Sequence, residues 1–349
     1  MAIKPILFLA GLLLTTLPAL APPQARAQTN APPVQIFLAH AQPQTPRTDP
    51  VAAVAEEFRR VLAEASQGRI SVEMFPEGQL GGNRDMTNLA AKGIIHSALV
   101  TVGGVTPLYP PLMATQLPFA YENLAQARAM LDGPFGRDMA TDMTARTKLT
   151  LLGFADPGGF HVLTNFDREI GSPDDLWGLR LRAIPGFAPL DAMISAVKAR
   201  PVEVSSRDEL ALLAAGSVDG QMSPPAVIMA RNFDTVQHHA TVLDALYSPY
   251  IWVFNTAALN ALSADDAALV RRAALAAIGK GRSLVDAIDQ TDRGLVGLAK
   301  RMKVRALSKA ERDEFRQMMQ PPVYEAISDA LGDDAAWLDR FLTAMPGPR

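Results

Sequence analysis

Residues 34–102 read VQIFLAHAQPQTPRTDPVAAVAEEFRRVLAEASQGRISVEMFPEGQLGGNRDMTNLAAKGIIHSALVTV, and the order of elements along this stretch decides the fold class. Val34–Ala39 is an apolar run of strand length. Asp49-Pro50 supplies an N-cap followed by a proline at the first helical position, where its missing N–H is no loss. Val51, Val54, Phe58, Val61 and Leu62 then recur at helical spacing to about Ser66, and Gly68 is placed to end that helix. Ile70–Phe75 alternates as a strand, Met86–Lys92 has the length of a short helix, and Ile94–Val102 is strand-like again after Gly93. A β-α-β-α-β order within about 70 residues implies a parallel sheet covered by helices.

The alternation continues downstream. Glu122–Leu131 and Pro134–Arg146 are expected as helices and Leu149–Phe154 as a strand. A new unit opens at Gly158-Gly159, with strand-like Phe160–Asn165 and Leu179–Ala183 and a helix after Pro185-Gly186. Ser206-x-x-Glu209 has the form of a capping box, launching a helix that ends near Gly216. Asp219–Met222 and Tyr250–Phe254 are further strand candidates. From Ser263-Ala264-Asp265-Asp266 an amphipathic pattern runs to about Met302, weakened but not stopped by Gly279, Gly281 and Gly294. Ser308-x-x-Glu311 caps another helix, and one more covers Asp334–Ala344. The expectation is an α/β protein of two lobes with a long helix towards the C-terminus.

Upstream, Lys4 precedes the apolar run Ile6–Leu20, and Ala25-Arg26-Ala27 has the small residues of a cleavage site, together the pattern of a secretory signal peptide over residues 1–27. The run falls short of the ~20 residues needed to span a bilayer, and Pro18, Pro22 and Pro23 interrupt it or follow it closely. Cleavage after Ala27 would leave 322 of the 349 residues, with Gln28–Pro33 as a flexible lead. Losing Lys4 and Arg26 leaves 31 basic against 36 acidic residues, a net charge of −5 rather than −3. No second segment could span a membrane, so the mature chain is expected to be soluble and periplasmic.

Composition narrows the chemistry. With 48% hydrophobic residues, 20% charged and no cysteine, the chain is neither disordered nor disulfide-stapled, and it has no thiolate metal site. Charges of both signs are scattered, which argues against nucleic acid as a partner. There is no Walker A loop, no G-x-S-x-G elbow, no H-E-x-x-H and no G-x-G-x-x-G after a strand, so neither an ATP site nor a cofactor is expected. Of the five histidines, His238 and His239 are adjacent in sequence and point in different directions, and His96 lies in an apolar run as a hydrogen-bonded core residue. No spacing of carboxylates marks an acid–base couple, so no catalytic residue is assigned and no metal site is expected.

Several strings in order resemble the DctP-type substrate-binding proteins of TRAP (tripartite ATP-independent periplasmic) transporters. They are Gly68-Arg69-Ile70-Ser71-Val72 leading to Phe75-Pro76-Glu77-Gly78-Gln79-Leu80-Gly81; Leu117-Pro118-Phe119; Thr164-Asn165 followed by Asp175-Leu176-Trp177-Gly178-Leu179-Arg180-Leu181-Arg182; and Gly216-Ser217-Val218-Asp219-Gly220-Gln221 with Pro224 close behind. The match covers roughly Val34 to Leu342. The resemblance implies a type II-like periplasmic-binding-protein fold with a ligand cleft between discontinuous lobes. Lobe I would comprise residues 28–157 plus about 250–285, and lobe II residues 158–249 plus about 286–345. It also implies a receptor that captures a small organic acid by lobe closure and delivers it to TRAP membrane permease subunits, with no ATPase.

In this family an arginine of the D-L-x-G-L-[KR]-x-R motif pairs with the ligand carboxylate. Arg180 and Arg182 share a face of the expected strand, so spacing does not choose between them; the resemblance chooses Arg182. Its planar fork suits a carboxylate because two parallel donors fix orientation as well as charge. Two departures stand out. Sialic-acid-binding members carry a second arginine where this chain has His161, and an asparagine where it has Ser223, which implies a smaller or less charged ligand than a sialic acid. For Ser223 the alternative is a helix N-cap, given the prolines that follow. Gln79 in the G-Q-L-G turn, Tyr250 and Trp252 on the returning strand, Phe187, and the Gly103-Gly104 pair within Thr101–Thr106 are further pocket candidates, resting on placement alone. Other classes are a sensory binding module for an organic acid, built on the same fold, and a periplasmic hydrolase or lyase, for which the histidines are too few.

Overall fold

The β-α-β-α-β stretch forms one side of a five-stranded sheet. The computed structural model describes residues 1, 32–288 and 290–345; residues 2–27 of the expected signal peptide and residues 28–31 of the lead after it lie outside the described residues. β1 (Val34–His40) pairs in parallel with β2 (Ile70–Phe75) and β3 (Ser97–Thr101), with α1 (Pro50–Ala65) and α2 (Asn83–Ala91) as crossovers. Asp49 caps α1 as its residue type predicts, its Oδ1 accepting from the Ala52 N–H at 2.8 Å. The third strand is shorter than expected, because Ile94 sits exposed in the turn after α2.

The chain then runs through α3 (Val102–Val105), a 3-10 segment at Pro110–Gln116, α4 (Leu124–Asp132) and α5 (Pro134–Arg146) to β4 (Leu149–Ala155). It crosses to a second, six-stranded sheet. β5 (Val162–Asn165), β6 (Arg180–Ala183), α6 (Ala188–Ala196), β7 (Arg200–Glu203), α7 (Glu209–Ala214), β8 (Gly220–Ser223), α8 (Pro225–Ala230) and β9 (His239–Val242) build most of it. β10 (Tyr250–Asn255) returns to the first sheet, between β3 and β4 and antiparallel to both. The orders are β2-β1-β3-β10-β4 and β11-β9-β5-β8-β6-β7, the last strand in sequence, β11, being Lys303–Ala306. Among the described residues no helix is long and apolar enough to cross a membrane.

The amphipathic run expected to Met302 is broken. α9 (Thr256–Asn260) leads to α10 (Ala264–Ile288), which lies on α1 and β4. The chain then turns, and α11 (Leu295–Leu298), with Gly294 as its N-cap, packs on α8. A single straight helix could not serve both lobes, so the chain breaks where it passes between them. The Ser308/Glu311 capping box does form, starting α12 (Lys309–Leu331). α12 lies against α6, whereas α13 (Ala336–Ala344) packs on α5 and the Pro110–Gln116 segment, so the C-terminal region is shared between the lobes. In the first lobe Phe58, Leu62 and Trp252 are fully buried between sheet and helices, each worth roughly 1.5–3 kcal/mol of burial.

β7 and β11, which no apolar run announced, are the two edges of the second sheet, and their sequences RPVE and KVRA are largely solvent-facing. Edge strands carry charge that blunts further pairing, and this hides them from a hydrophobicity pattern.

Candidate functional site

A cavity of about 720 Å³ opens between the two sheets. It lies where the parallel strands end and the antiparallel strands β5 and β10 begin: Gln42 follows β1, Gly78 follows β2, Thr101 ends β3, Ile184 follows β6, Ser223 ends β8, His161 precedes β5 and Tyr250 starts β10. Ligand crevices in α/β sheets form at the carboxyl ends of strands, where loops can vary without disturbing the ladder. A second, smaller cavity of about 400 Å³, near Gly158-Gly159 and α11, is bordered by Glu122, Asp244 and Asp286 and by no basic residue.

Arg182 lines the larger cavity with its side chain only 13% exposed. Its Nε donates to the Val204 carbonyl at 3.3 Å and lies 3.7 Å from Glu209 Oε1. Among the described residues neither terminal nitrogen of Arg182 donates a hydrogen bond, so its two-pronged face is open to the cavity. Arg180, on the same face of β6, is a surface residue engaged with Asp219 and the Gly216 carbonyl. Two positions along one strand differ by about 6.6 Å in depth, and only the later one reaches the strand's carboxyl end.

His161 also lines the cavity, and its backbone N–H donates to the Leu246 carbonyl at 2.8 Å. Burial and then the nearby Arg182 charge push the imidazole down to about 4, against an opposing hydrogen bond to the Met222 backbone. His161 is therefore neutral near pH 7, and its Nδ1 is buried without a partner. Ser223 is at the end of β8 rather than at a helix N-cap, which is Pro224; its hydroxyl donates to Gln221 Oε1 at 2.6 Å, and Gln221 in turn donates to Thr164. Tyr250 lines the cavity too, its hydroxyl accepting from Gln42 Nε2, and burial pushes that hydroxyl up to about 12.

Three expected pocket residues are placed elsewhere. Trp252 is fully buried in the first lobe, edge-on to Phe58 at 4.9 Å, with Nε1 donating to Ser97 Oγ. It shares a strand face with Tyr250 but lies two residues further from the cleft, which moves it from the cavity wall into the core. Gln79 is exposed and does not line the cavity; the positive φ of Glu77 and Gly78 turns the chain so that these two residues border it instead. Phe187 is likewise buried. Gly103 and Gly104 border the cavity, and their bareness allows close approach: a Cβ on Gly103 would meet Ile184 at 3.2 Å, and one on Gly104 would meet Asn83 at 2.6 Å.

Three lining residues were not marked as pocket residues by the sequence. Glu209 is 3% exposed, and its Oε2 lies 3.4 Å from Arg231 Nη1. The expected capping box at Ser206 does not form: Asp208 holds the N-cap position of α7, and the Glu209 side chain lies between the two arginines instead. Arg231 also donates to the Ser206 carbonyl, and its guanidinium lies 5.2 Å from the centre of the Phe233 ring. Gln42 is 4% exposed with Oε1 unpartnered. A polar residue just past the carboxyl end of a buried strand was the available clue for Gln42. Among the described residues no cluster of three or more His, Asp or Glu is arranged to hold a metal ion.

Residues 41–329 match the family described as bacterial extracellular solute-binding protein, family 7. The chain belongs to this family. A solute-binding protein of Verminephrobacter eiseniae is 29% identical over 212 residues, a match that spans 60% of this chain and 62% of that one. The 2,3-diketo-L-gulonate-binding periplasmic protein YiaO of Escherichia coli is 25% identical over 304 residues, covering 87% of this chain and 86% of its own. Among solved structures, the sugar acid binding protein DctPAm of Advenella mimigardefordensis in complex with galactonate superposes with a TM-score of 0.82 at 23% identity, covering 90% of this chain and 98% of that one. That likeness shows the two-lobe fold.

In this family 7 solute-binding protein the two sheets are joined by crossing segments of the chain. Two crossing segments, Asp156–His161 and Leu243–Pro249, run side by side between the sheets, and Gly158 and Gly159 both take positive φ, of 113° and 107°. Tyr247 of one segment donates to Asp156 of the other at 2.7 Å. At the mouth of the cleft, Arg84 of the first lobe donates to the Pro185 carbonyl of the second at 3.0 Å, a contact made across the opening.

Proposed function

We propose that this family 7 protein is a periplasmic receptor that captures a small organic acid by closing its lobes and hands it to a TRAP-type membrane permease. The observation that carries the reading is the open face of Arg182 on the wall of the inter-lobe cavity. A guanidinium with two free parallel donors, mostly removed from water, is a carboxylate site in search of its anion. His161, Ser223 and Tyr250 would read the rest of the molecule, and the paired crossing segments would act as the hinge. The carboxylates named for the relatives, 2,3-diketo-L-gulonate and galactonate, support the same ligand chemistry. The signal peptide would direct export and be removed by cleavage after Ala27. Lobe I would comprise residues 28–157 and about 250–285, and lobe II residues 158–249 and the chain from about 286, with α13 returning to lobe I.

The test is a thermal-shift and calorimetric screen of protein that has been denatured, freed of carried-over ligand and refolded, against a panel of organic acids. A ligand at about 100 times its dissociation constant adds about 2.7 kcal/mol of stability, an easily measured shift. Arg182→Ala should weaken a hit by roughly 30-fold or more, about 2–5 kcal/mol, because it leaves the anion unpaired in a partly dry cleft. A folded Arg182→Ala protein that binds as tightly as the parent would sink the anchor assignment. A panel without a single hit would sink the carboxylate reading.

A further inference from the structure

We infer that Glu209 sets the charge of the ligand, so that the site takes a hydroxylated monocarboxylate and discriminates against dicarboxylates. The inference rests on the carboxylate reading above.

The buried wall of the cavity holds two guanidiniums, Arg182 and Arg231, and one carboxylate, Glu209, which lies between them at 3.7 and 3.4 Å. His161, the other ionisable group near Arg182, is uncharged at neutral pH. That wall therefore carries a single net positive charge. The remaining charged residues of the cavity, Arg84 and Arg207 with Glu77, Asp85 and Asp208, are exposed and of mixed sign, so water and salt screen them. One carboxylate on the open face of Arg182 brings the wall to neutrality. A second carboxylate would be buried beside Glu209 without a counter-charge, and an uncompensated buried charge is strongly unfavourable.

The rest of the ligand is constrained by what the wall lacks. Gln42 Oε1 on the first lobe and His161 Nδ1 on the second are buried and unpartnered. Gln42 Nε2 is already committed to Tyr250, and the imidazole to the Met222 backbone. Both vacancies are acceptors in this arrangement, and unpaired buried acceptors call for donors. Ligand hydroxyl groups placed away from the carboxylate supply them, one for each lobe, which would couple binding to closure. An aliphatic acid would leave both acceptors orphaned.

Calorimetry on the refolded full mature chain separates these points with three matched six-carbon probes. Galactonate carries one carboxylate and five hydroxyls, galactarate adds a second carboxylate to the same skeleton, and hexanoate removes the hydroxyls. The expected order is galactonate at least tenfold tighter than either of the others. Glu209→Gln, which frees a positive charge, should narrow or reverse the galactonate-to-galactarate ratio, a change that general loosening of the site would not produce. Galactarate or succinate binding as tightly as galactonate to the parent protein would overturn the proposal while leaving the carboxylate reading intact. So would an unchanged ratio in a folded Glu209→Gln protein. If that variant does not fold, the parent's own selectivity decides. If no carboxylate of any kind binds, the underlying reading falls and this one with it.

Discussion

Asp156 in the crossing segments and Glu209 in the cleft are each a buried carboxylate flanked by two arginines, yet they are satisfied to very different degrees. Asp156 is 1% exposed and uses both oxygens: Oδ1 accepts from Tyr247 at 2.7 Å, and Oδ2 from Arg128 Nε at 2.8 Å. Arg282 stands 3.8 Å away, and both arginines are held from outside, Arg128 by Asp286 and Arg282 by Asp132. Glu209, by contrast, has an unpartnered Oε1 and only long contacts to Arg182 and Arg231. Identical ingredients therefore do two jobs. A cluster whose carboxylate is fully bonded, with Arg282 Nε left unpartnered, ties β4, α4, α10 and the returning crossing segment together, whereas the one in the cleft has an unbonded carboxylate oxygen and leaves donor capacity for a ligand. Buried polar networks are rigid when fully satisfied and poised when partly so.

The sharpest way to break this comparison is to neutralise each carboxylate in turn. Asp156→Asn should lower stability in chemical denaturation by about 3 kcal/mol, because it strips the one fully buried counter-charge shared by two part-buried arginines. Glu209→Gln should cost distinctly less, since its ionic contacts are long and Arg182 can turn towards the cavity. Equal losses in the two variants would remove the distinction between the cluster at the crossing and the site in the cleft.

Asp49 extends the series to a buried carboxylate whose close partners are backbone N–H groups rather than arginines. Burial raises it from 3.8 to about 6, only partly offset by hydrogen bonds from Ala52 and Val51. The protonated form suits the fold, so its favourable contribution is present below about pH 4 and is lost as pH rises through 6. At pH 7 the charged form is a net cost. Asp49→Asn keeps an N-capping oxygen and removes the charge, so it should stabilise the protein at pH 7 by roughly 2–3 kcal/mol, with the gain vanishing below pH 4. A loss at pH 7 would mean that the charge is compensated after all.

The smallest effect concerns His161. Its value of about 4, below the ordinary 6.5, means that the neutral ring is favoured in the fold; the stability it contributes is present above pH 6.5 and lost as pH falls towards 4. Ligand affinity should accordingly vary by less than about twofold between pH 5 and 8 on account of this residue, with no proton uptake when calorimetry is compared in two buffers. A clear rise in affinity towards pH 5 that is absent in His161→Gln would show that the ring is charged on binding, and would weaken the count of one positive charge on the wall.

Much of this architecture was legible in local patterns. α1 with its Asp49 cap, the α12 capping box, the half-exposed strand β2 and the more buried strands β1 and β10 appear where periodicity and caps placed them, because each depends on residues a few positions apart. The edge strands β7 and β11 were not legible, since their solvent-facing polar residues erase the apolar signal. Ser206-x-x-Glu209 also misled: the motif has the right residues for a capping box, but Asp208 takes the N-cap position of α7 and the Glu209 carboxylate lies between two guanidiniums in the cleft.

By itself, then, the sequence determined the two-lobe α/β class through short-range spacing, which left Arg180 and Arg182 equal, and its family strings made Arg182 the candidate by resemblance. Tertiary structure alone decided which of Arg180 and Arg182 reaches the cavity, moved Trp252 into the core while leaving Tyr250 on the wall, and brought Glu209 to Arg231 across 22 residues of chain. Depth along a strand and pairing between distant segments are set by how sheets and helices stack. One-dimensional spacing records which face a side chain takes, and packing decides what stands opposite it.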